Sequence, residues 1–225
     1  MSKIDPNMPL PNHTKIRYEE CVAKIFLEWA DGDVYQNLIM RDKPDLFCEQ
    51  TKIGIEVTEA IDPIQKEAES LWTWIPYSSK EKAERLKGQM KNLGYEYQGG
   101  IQCWGGKDYS NNVDSVPYND LYSAIEQKLR TLRKGQCHKC DKYELFVESN
   151  ILIQENWCHK LLEKLDELNP KQELYFSKII ILSQLSFVFF DFEENKFRYM
   201  RLDSQTQSKL VCKAAKMVEE AEENE

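Results

Sequence analysis

Two carboxylates placed as Asp45 and Glu56 are placed can share one cation. Asp45 follows Pro44 in the stretch Lys43 to Ala60, KPDLFCEQTKIGIEVTEA, and Glu56 lies in its second apolar run, IGIEVT. In that run Ile53, Ile55 and Val57 share one parity, and Gly54, Glu56 and Thr58 share the other. A period of two sends the two sets to opposite faces of a strand. The β-branched content favours strands, with a turn between the two runs near Gln50 to Lys52. Neighbouring strands lie only ~5 Å apart, so Asp45 and Glu56 are expected to converge, with Thr58 pointing the same way as Glu56. Converging carboxylates form a hard-oxygen site suited to Mg²⁺ or Mn²⁺. Mg²⁺ commonly takes one or two carboxylates and completes its shell with water and substrate phosphate.

With Pro44-Asp45 as a first half-motif and Glu56-Val57-Thr58 as a second, the stretch resembles the PD-(D/E)xK nuclease superfamily and its restriction-endonuclease-like fold. The departure is Thr58, which stands where that superfamily has a lysine that orients or activates water and neutralises phosphate. The resemblance implies a metal-dependent nuclease acting on the phosphodiester bonds of DNA. In that setting Asp45 and Glu56 hold the metal, and Thr58 offers a hydroxyl but no positive charge. Two further residues follow from the same resemblance. A glutamate on the first helix is a frequent extra ligand to metal or water, and Glu19 fits that role better than Glu20; an ordinary surface glutamate is the other reading. Some members carry the working lysine on the helix that crosses the motif strands, which is where Lys128 falls.

The elements that must position these residues can be read in order. Residues 1–15 hold three prolines and little periodicity and read as a flexible N-terminus. A helix is expected from Ile16 to Ala30, with Tyr18, Cys21, Val22, Ile25, Phe26 and Trp29 on its apolar face, Glu19 flanking that face and Glu20 solvated. Val34 to Met40 reads as a first strand ahead of the two motif strands. Asp62-Pro63 then has the form of an N-cap followed by proline at the first helical position. Residues 62–117 read as an insertion with two helices and a Gly-, Tyr- and Asn-rich segment. Its aromatics, Trp104 among them, can stack on nucleobases or pack a small subdomain. Lys52 shares the parity of Glu56, but four residues of strand separate the two by ~13 Å, which suits a phosphate contact better than a replacement for the missing lysine.

Tyr118 to Lys134 is the next clear helix, and Lys128 falls inside its stripe of Tyr118, Leu121, Ala124, Ile125, Leu129 and Leu132. Desolvating an unpaired ammonium is costly, so something acidic is expected beneath the helix. The alternative is an amine that snorkels to the helix edge. Cys137 and Cys140 form a single CxxC, which is half of a structural zinc site; with Cys158-His159 as the only obvious second pair, a plain loop is the simpler reading. Strands follow at Tyr143 to Ile153 and Lys178 to Ser183, then a hairpin at 187–202, a helix from Ser204 and an acidic tail at 218–225.

The order of helix, three strands, insertion, crossing helix and strand predicts an α/β protein with the αβββαβ core of the restriction-endonuclease-like fold. The core spans about residues 16–153 of a domain at 16–217, and helices flank a mixed sheet. The 225 residues can bury a sizeable core. A net charge of −8 argues against a wholly basic nucleic-acid coat but leaves room for local positive charge. Seven cysteines, an odd number, without an apolar leader segment point to a reduced, cytoplasmic setting, and no run approaches the length of a membrane span. Two other classes compete with the nuclease. One is a binding module on the same fold whose chemistry decayed with the motif lysine. The other is an assembly subunit, a homo-oligomer for instance, that buries the apolar hairpin at 187–202 against a partner.

Overall fold

Alternating apolar residues over 53–60 and near-continuous ones over 179–190 build one sheet, and amphipathic helices cover it. The structure is a computed structural model, and it describes residues 10, 14–97, 103–105, 116–135, 139–171 and 174–223. The elements run α1 (Tyr18–Ala30), β1 (Ile39–Met40), β2 (Leu46–Cys48), β3 (Ile53–Ala60), α2 (Pro63–Trp74), α3 (Lys80–Asn92), β4 (Tyr95–Tyr97) and β5 (Cys103–Gly105). They continue with α4 (Val116–Arg133), β6 (Lys142–Ser149), α5 (Cys158–Leu168), β7 (Lys178–Leu182), β8 (Ser186–Asp191), β9 (Lys196–Arg201) and α6 (Ser204–Glu223).

The architecture is α/β. A seven-stranded mixed sheet has the order β1-β2-β3-β6-β7-β8-β9. β3, β6 and β7 are mutually parallel and the remaining pairings are antiparallel. The parallel trio is covered on both faces, as buried parallel strands require. Ile53, Ile55, Val57 and Phe146 pack with α1 and α6. Leu145, Val147, Ile179 and Ile181 pack with α4 and α5. On the β8–β9 hairpin, Phe187, Val188, Phe189 and Phe190 of β8 are buried inside this core, while the apolar residues of β9 are half-buried.

Three expectations change. The strand foreseen over Val34 to Met40 shrinks to Ile39–Met40, because the amides of Val34 and Tyr35 turn back onto Asp31 O at 3.1 and 3.0 Å. Tyr35 is then buried, and its hydroxyl donates to Glu144 Oε2 at 2.7 Å. Second, the Gly- and Tyr-rich part of the insertion contains a two-stranded ribbon, β4 with β5. Third, α1 buries a different arc from the one expected. Ala23 and Leu27 are fully buried while Trp29 is 41% exposed, because the helix is wedged between the sheet and α6 and not laid on one surface.

The insertion has a small core of its own. Ala68, Ile75, Leu86, Met90 and Tyr95 are buried together, with Trp72, Trp74 and Tyr97 packed against them. These aromatics therefore take the packing role. The side chain of Trp104 and the whole of Tyr109 lie outside the described residues, as do Cys137 and His138. Cys158 is buried at the start of α5 with its thiol directed at Gln154 O, which makes it a core residue and not half of a zinc pair. The acidic C-terminal stretch is helical as far as Glu223, and the carboxylate of Glu222 accepts a hydrogen bond from the backbone N–H of Lys15.

Candidate active site

Glu56 stands in the middle of β3, between β2 and β6, and is only 5% exposed. Its neighbours in sequence, Ile55 and Val57, fix the strand by burying themselves on the α1–α6 side, so the glutamate is forced to the α4 side. Asp45 lies one residue before β2, whose Leu46 is in register with Ile55. The backbone N–H of Val57 donates to Asp45 Oδ2 at 2.7 Å, which fixes the carboxylate beside Glu56. Gly54 makes this approach possible. A Cβ at that position would stand 2.8 Å from Pro44 Cγ and 2.6 Å from Cys140 Sγ, so the proline ring lies directly over the glycine.

Lys128 reaches the pair from α4. Its Nζ donates to Glu56 Oε2 at 2.9 Å and to Asp45 Oδ2 at 3.2 Å. The acid expected beneath the helix is therefore two acids, and the amine does not snorkel away. Burial acts to lower the pKa of this amine, but the hydrogen bond to Glu56 and the charges of Asp45 and Glu56 outweigh it, so the pKa lies above the ordinary lysine value. Lys128 is held as a cation. Thr58 is half-buried two residues beyond Glu56, with the parity that puts it on the same face of β3.

On the first helix it is Glu20, expected in solvent, that is buried. Glu20 is 8% exposed and shares a helical row with the fully buried Ala23 and Leu27. Burial, then the negative charge of Asp45, pushes its carboxyl up to about 7, with Arg17 and Lys128 pulling the other way. Glu19 accepts a hydrogen bond from Arg17 at 3.4 Å and is among the charges that raise both Glu20 and Glu148. The sequence carried a signal for the burial of Glu20 in the Ala23 and Leu27 row, which a single-face reading of the helix passed over. Arg17, just ahead of the helix, was also missed. Its guanidinium lies 3.3 Å from Glu20 Oε1, 3.4 Å from Glu19 Oε1 and 3.9 Å from Asp45 Oδ1.

Lys52 stands apart from the carboxylate pair. Its ammonium lies 5.9 Å from the centroid of the Phe47 ring, whose other neighbour is the Arg41 guanidinium at 4.0 Å. Among the described residues, no group of three or more His, Cys, Asp or Glu side chains is gathered so as to hold a metal ion. The donor set at the site is thus two carboxylates, Asp45 and Glu56, already converged on one cationic nitrogen. Two carboxylates with water and phosphate are a sufficient protein share for Mg²⁺, so the residues present fit such an ion. No helix among the described residues is long and apolar enough to cross a membrane. Comparison of the chain with known protein families, with curated proteins and with solved structures gives no match.

Proposed function

We propose that this chain is a divalent-metal-dependent nuclease of the PD-(D/E)xK kind, with a restriction-endonuclease-like core, hydrolysing phosphodiester bonds of DNA. The observation that carries the reading is the meeting of Lys128 Nζ with both Asp45 and Glu56, at 3.2 and 2.9 Å. Two adjoining strand segments supply the acids, and a helix more than 70 residues later supplies the amine, at a single point.

Asp45 and Glu56 are the residues that would hold Mg²⁺ or Mn²⁺, with Glu19 of the first helix acting through water. A bound ion of this class supplies polarisation of a phosphoryl oxygen and acidification of water. The chain's own groups do the rest. The Val57 N–H keeps Asp45 turned towards Glu56. Lys128, protonated at neutral pH because its pKa is raised, cannot take a proton from water and serves instead to stabilise negative charge growing on phosphate. It thereby fills the electrostatic part of the role that Thr58 leaves vacant. The Thr58 hydroxyl can orient a water by hydrogen bonding. Lys52, exposed in the turn between β2 and β3, suits a contact to the nucleic-acid backbone, and Trp104 a stacked base.

The test is Mg²⁺-dependent cleavage of plasmid and oligonucleotide DNA by wild type, Asp45→Ala and Glu56→Ala. Both variants are expected to lose cleavage and keep the fold. Full activity in Glu56→Ala would end the proposal. One observation favours the second reading, a binding module with decayed chemistry: the Lys128 ammonium already satisfies both carboxylates without a metal. Calorimetric titration with Mn²⁺ separates the two. Binding that depends on both carboxylates supports the nuclease, and absence of binding supports the module.

A further inference from the structure

Arg17 has no place in the chemistry so far, yet it is the outermost charged group over the site. Its side chain is 56% exposed, against 13% for Asp45, 10% for Glu20, 7% for Glu56 and 22% for Lys128. It sits at the N-cap of α1 with extended backbone, φ −79° and ψ 131°, and its side chain makes no capping bond. The guanidinium is spread over three carboxylates at 3.3, 3.4 and 3.9 Å. A well-formed charge-assisted bond is about 2.7–2.9 Å, and arginine prefers to make two in parallel to one planar partner. Here it makes one long hydrogen bond, to Glu19 Oε1 at 3.4 Å, and no bidentate pair, so it is held near Asp45 and Glu20 by charge alone.

Asp45 is flanked by a cation on each side. Oδ2 faces Lys128 and Oδ1 faces Arg17. The buried cation belongs to the carboxylates; the exposed one stands where an incoming anion arrives.

We propose that Arg17 is the phosphate-recognising residue of this site, its guanidinium passing from the carboxylates to the non-bridging oxygens of a nucleic-acid phosphate. The inference rests on the nuclease reading and extends it to the substrate's side. The exchange is balanced in charge. With a divalent ion held by Asp45 and Glu56, Arg17 would be released from Asp45, and the phosphate would supply the anion to which it moves. The same geometry makes Arg17 a competitor of such an ion for Asp45, so its removal should tighten metal binding while weakening substrate binding. A purely structural ion pair on the surface would do neither and would contribute little to stability.

The experiment uses the full chain and short DNA duplexes with either 5′-phosphate or 5′-hydroxyl ends. Binding is followed by fluorescence anisotropy in Ca²⁺, in place of Mg²⁺, to hold the complex uncleaved. Arg17→Gln is expected to bind duplex about tenfold more weakly, with the slope of log affinity against log salt reduced by about one contact. Its Mn²⁺ affinity by calorimetry should equal or exceed that of wild type, and its thermal midpoint should be unchanged. Arg17→Lys, which keeps a point charge but not the fork, should retain the wild-type salt slope. A loss confined to 5′-phosphate duplexes assigns Arg17 to a terminal phosphate, and an equal loss on both assigns it to an internal one; either supports the proposal. Wild-type affinity and salt slope in Arg17→Gln overturn it, as does a loss that follows a drop in thermal stability. If wild type binds Mn²⁺ and cleaves but Arg17→Gln is indistinguishable from it, only the Arg17 assignment falls. If wild type binds neither Mn²⁺ nor duplex, the nuclease reading falls and takes this inference with it.

Discussion

Lys128 Nζ lies 2.9 Å from Glu56 Oε2, a contact between residues 72 positions apart that joins α4 to the centre of β3. The contact ties a helix that follows the insertion to a strand that precedes it. Whatever the insertion does, the chain must return to the same point on the sheet to satisfy a buried carboxylate.

Lys128→Met should therefore cost stability as well as any activity. Removing one partner of a fully buried ion pair costs about 3–5 kcal/mol; because Lys128 keeps some solvent contact, screening reduces the expected loss to about 2 kcal/mol. The raised amine pKa means that its contribution is complete at neutral pH and is lost only as pH rises through and above the lysine range of 10.5. Urea unfolding of both proteins at neutral pH and above the lysine range measures this, and an equal deficit at both would show that Lys128 acts by packing alone.

Gly54→Ala tests how the acid pair is assembled. The added Cβ would meet Cys140 Sγ at 2.6 Å and Pro44 Cγ at 2.8 Å. A thiol can rotate aside, but the proline ring cannot, and Pro44 carries Asp45 next to it. The expected loss is about 1–3 kcal/mol of stability, as for overpacking elsewhere, with a larger fractional loss of Mn²⁺ affinity. Adding Cys140→Ala should restore only part of either. Full restoration in the double variant would assign the constraint to the thiol and not to the proline.

Much of this arrangement was legible in the sequence, and the exceptions have physical causes. The parity of Glu56, the half-motif at Pro44-Asp45 and the place of Lys128 on its helical stripe are local periodicities, and the structure brings those three residues together. The near-continuous apolar run of β7 suits the buried parallel setting it takes beside β6. What local periodicity could not supply was the second neighbour of an element. α1 is covered by both the sheet and α6, so its buried arc is wider than one face and takes in Glu20. The first strand was over-read because Val34 and Tyr35 look β-prone; the turn onto Asp31 and the hydroxyl contact to Glu144 decided otherwise. A β-propensity expresses fit to a half-buried surface, and tertiary partners override it.

Tyr35→Phe probes that override. Glu144 is 1% exposed and has the Tyr35 hydroxyl at 2.7 Å, with Lys178 Nζ farther off at 3.6 Å. Deleting the hydroxyl leaves a buried carboxylate leaning on the lysine alone. The cost should be about 1–3 kcal/mol, the penalty for an unsatisfied buried partner. Denaturant unfolding checks it; a change within error would mean that Lys178 moves in to compensate.

Glu148 gives the clearest dependence of stability on pH. It lies on β6 directly across from Glu59 of β3, and Glu19 and Glu69 add further negative charge against the single opposing cation, Lys66. Burial first, then Glu59 and Glu19, pushes its carboxyl up from 4.5 to about 7. The folded state thus binds this proton more tightly than the unfolded chain. Below pH 4.5 both states are protonated and the group is neutral in its effect; as pH rises from 4.5 through about 7, the unfolded state gains from ionisation and stability falls. The loss is on the order of 3–4 kcal/mol, taking ~1.4 kcal/mol for each pKa step. Glu148→Gln removes the titration, so the variant should be more stable than wild type at pH 8 and indistinguishable from it near pH 4. Thermal unfolding across that range, in one buffer series at constant ionic strength, measures the two curves. A wild-type stability that rises between the two pH values while the variant's stays level would reverse the sign and place Glu148 among favourably paired carboxylates.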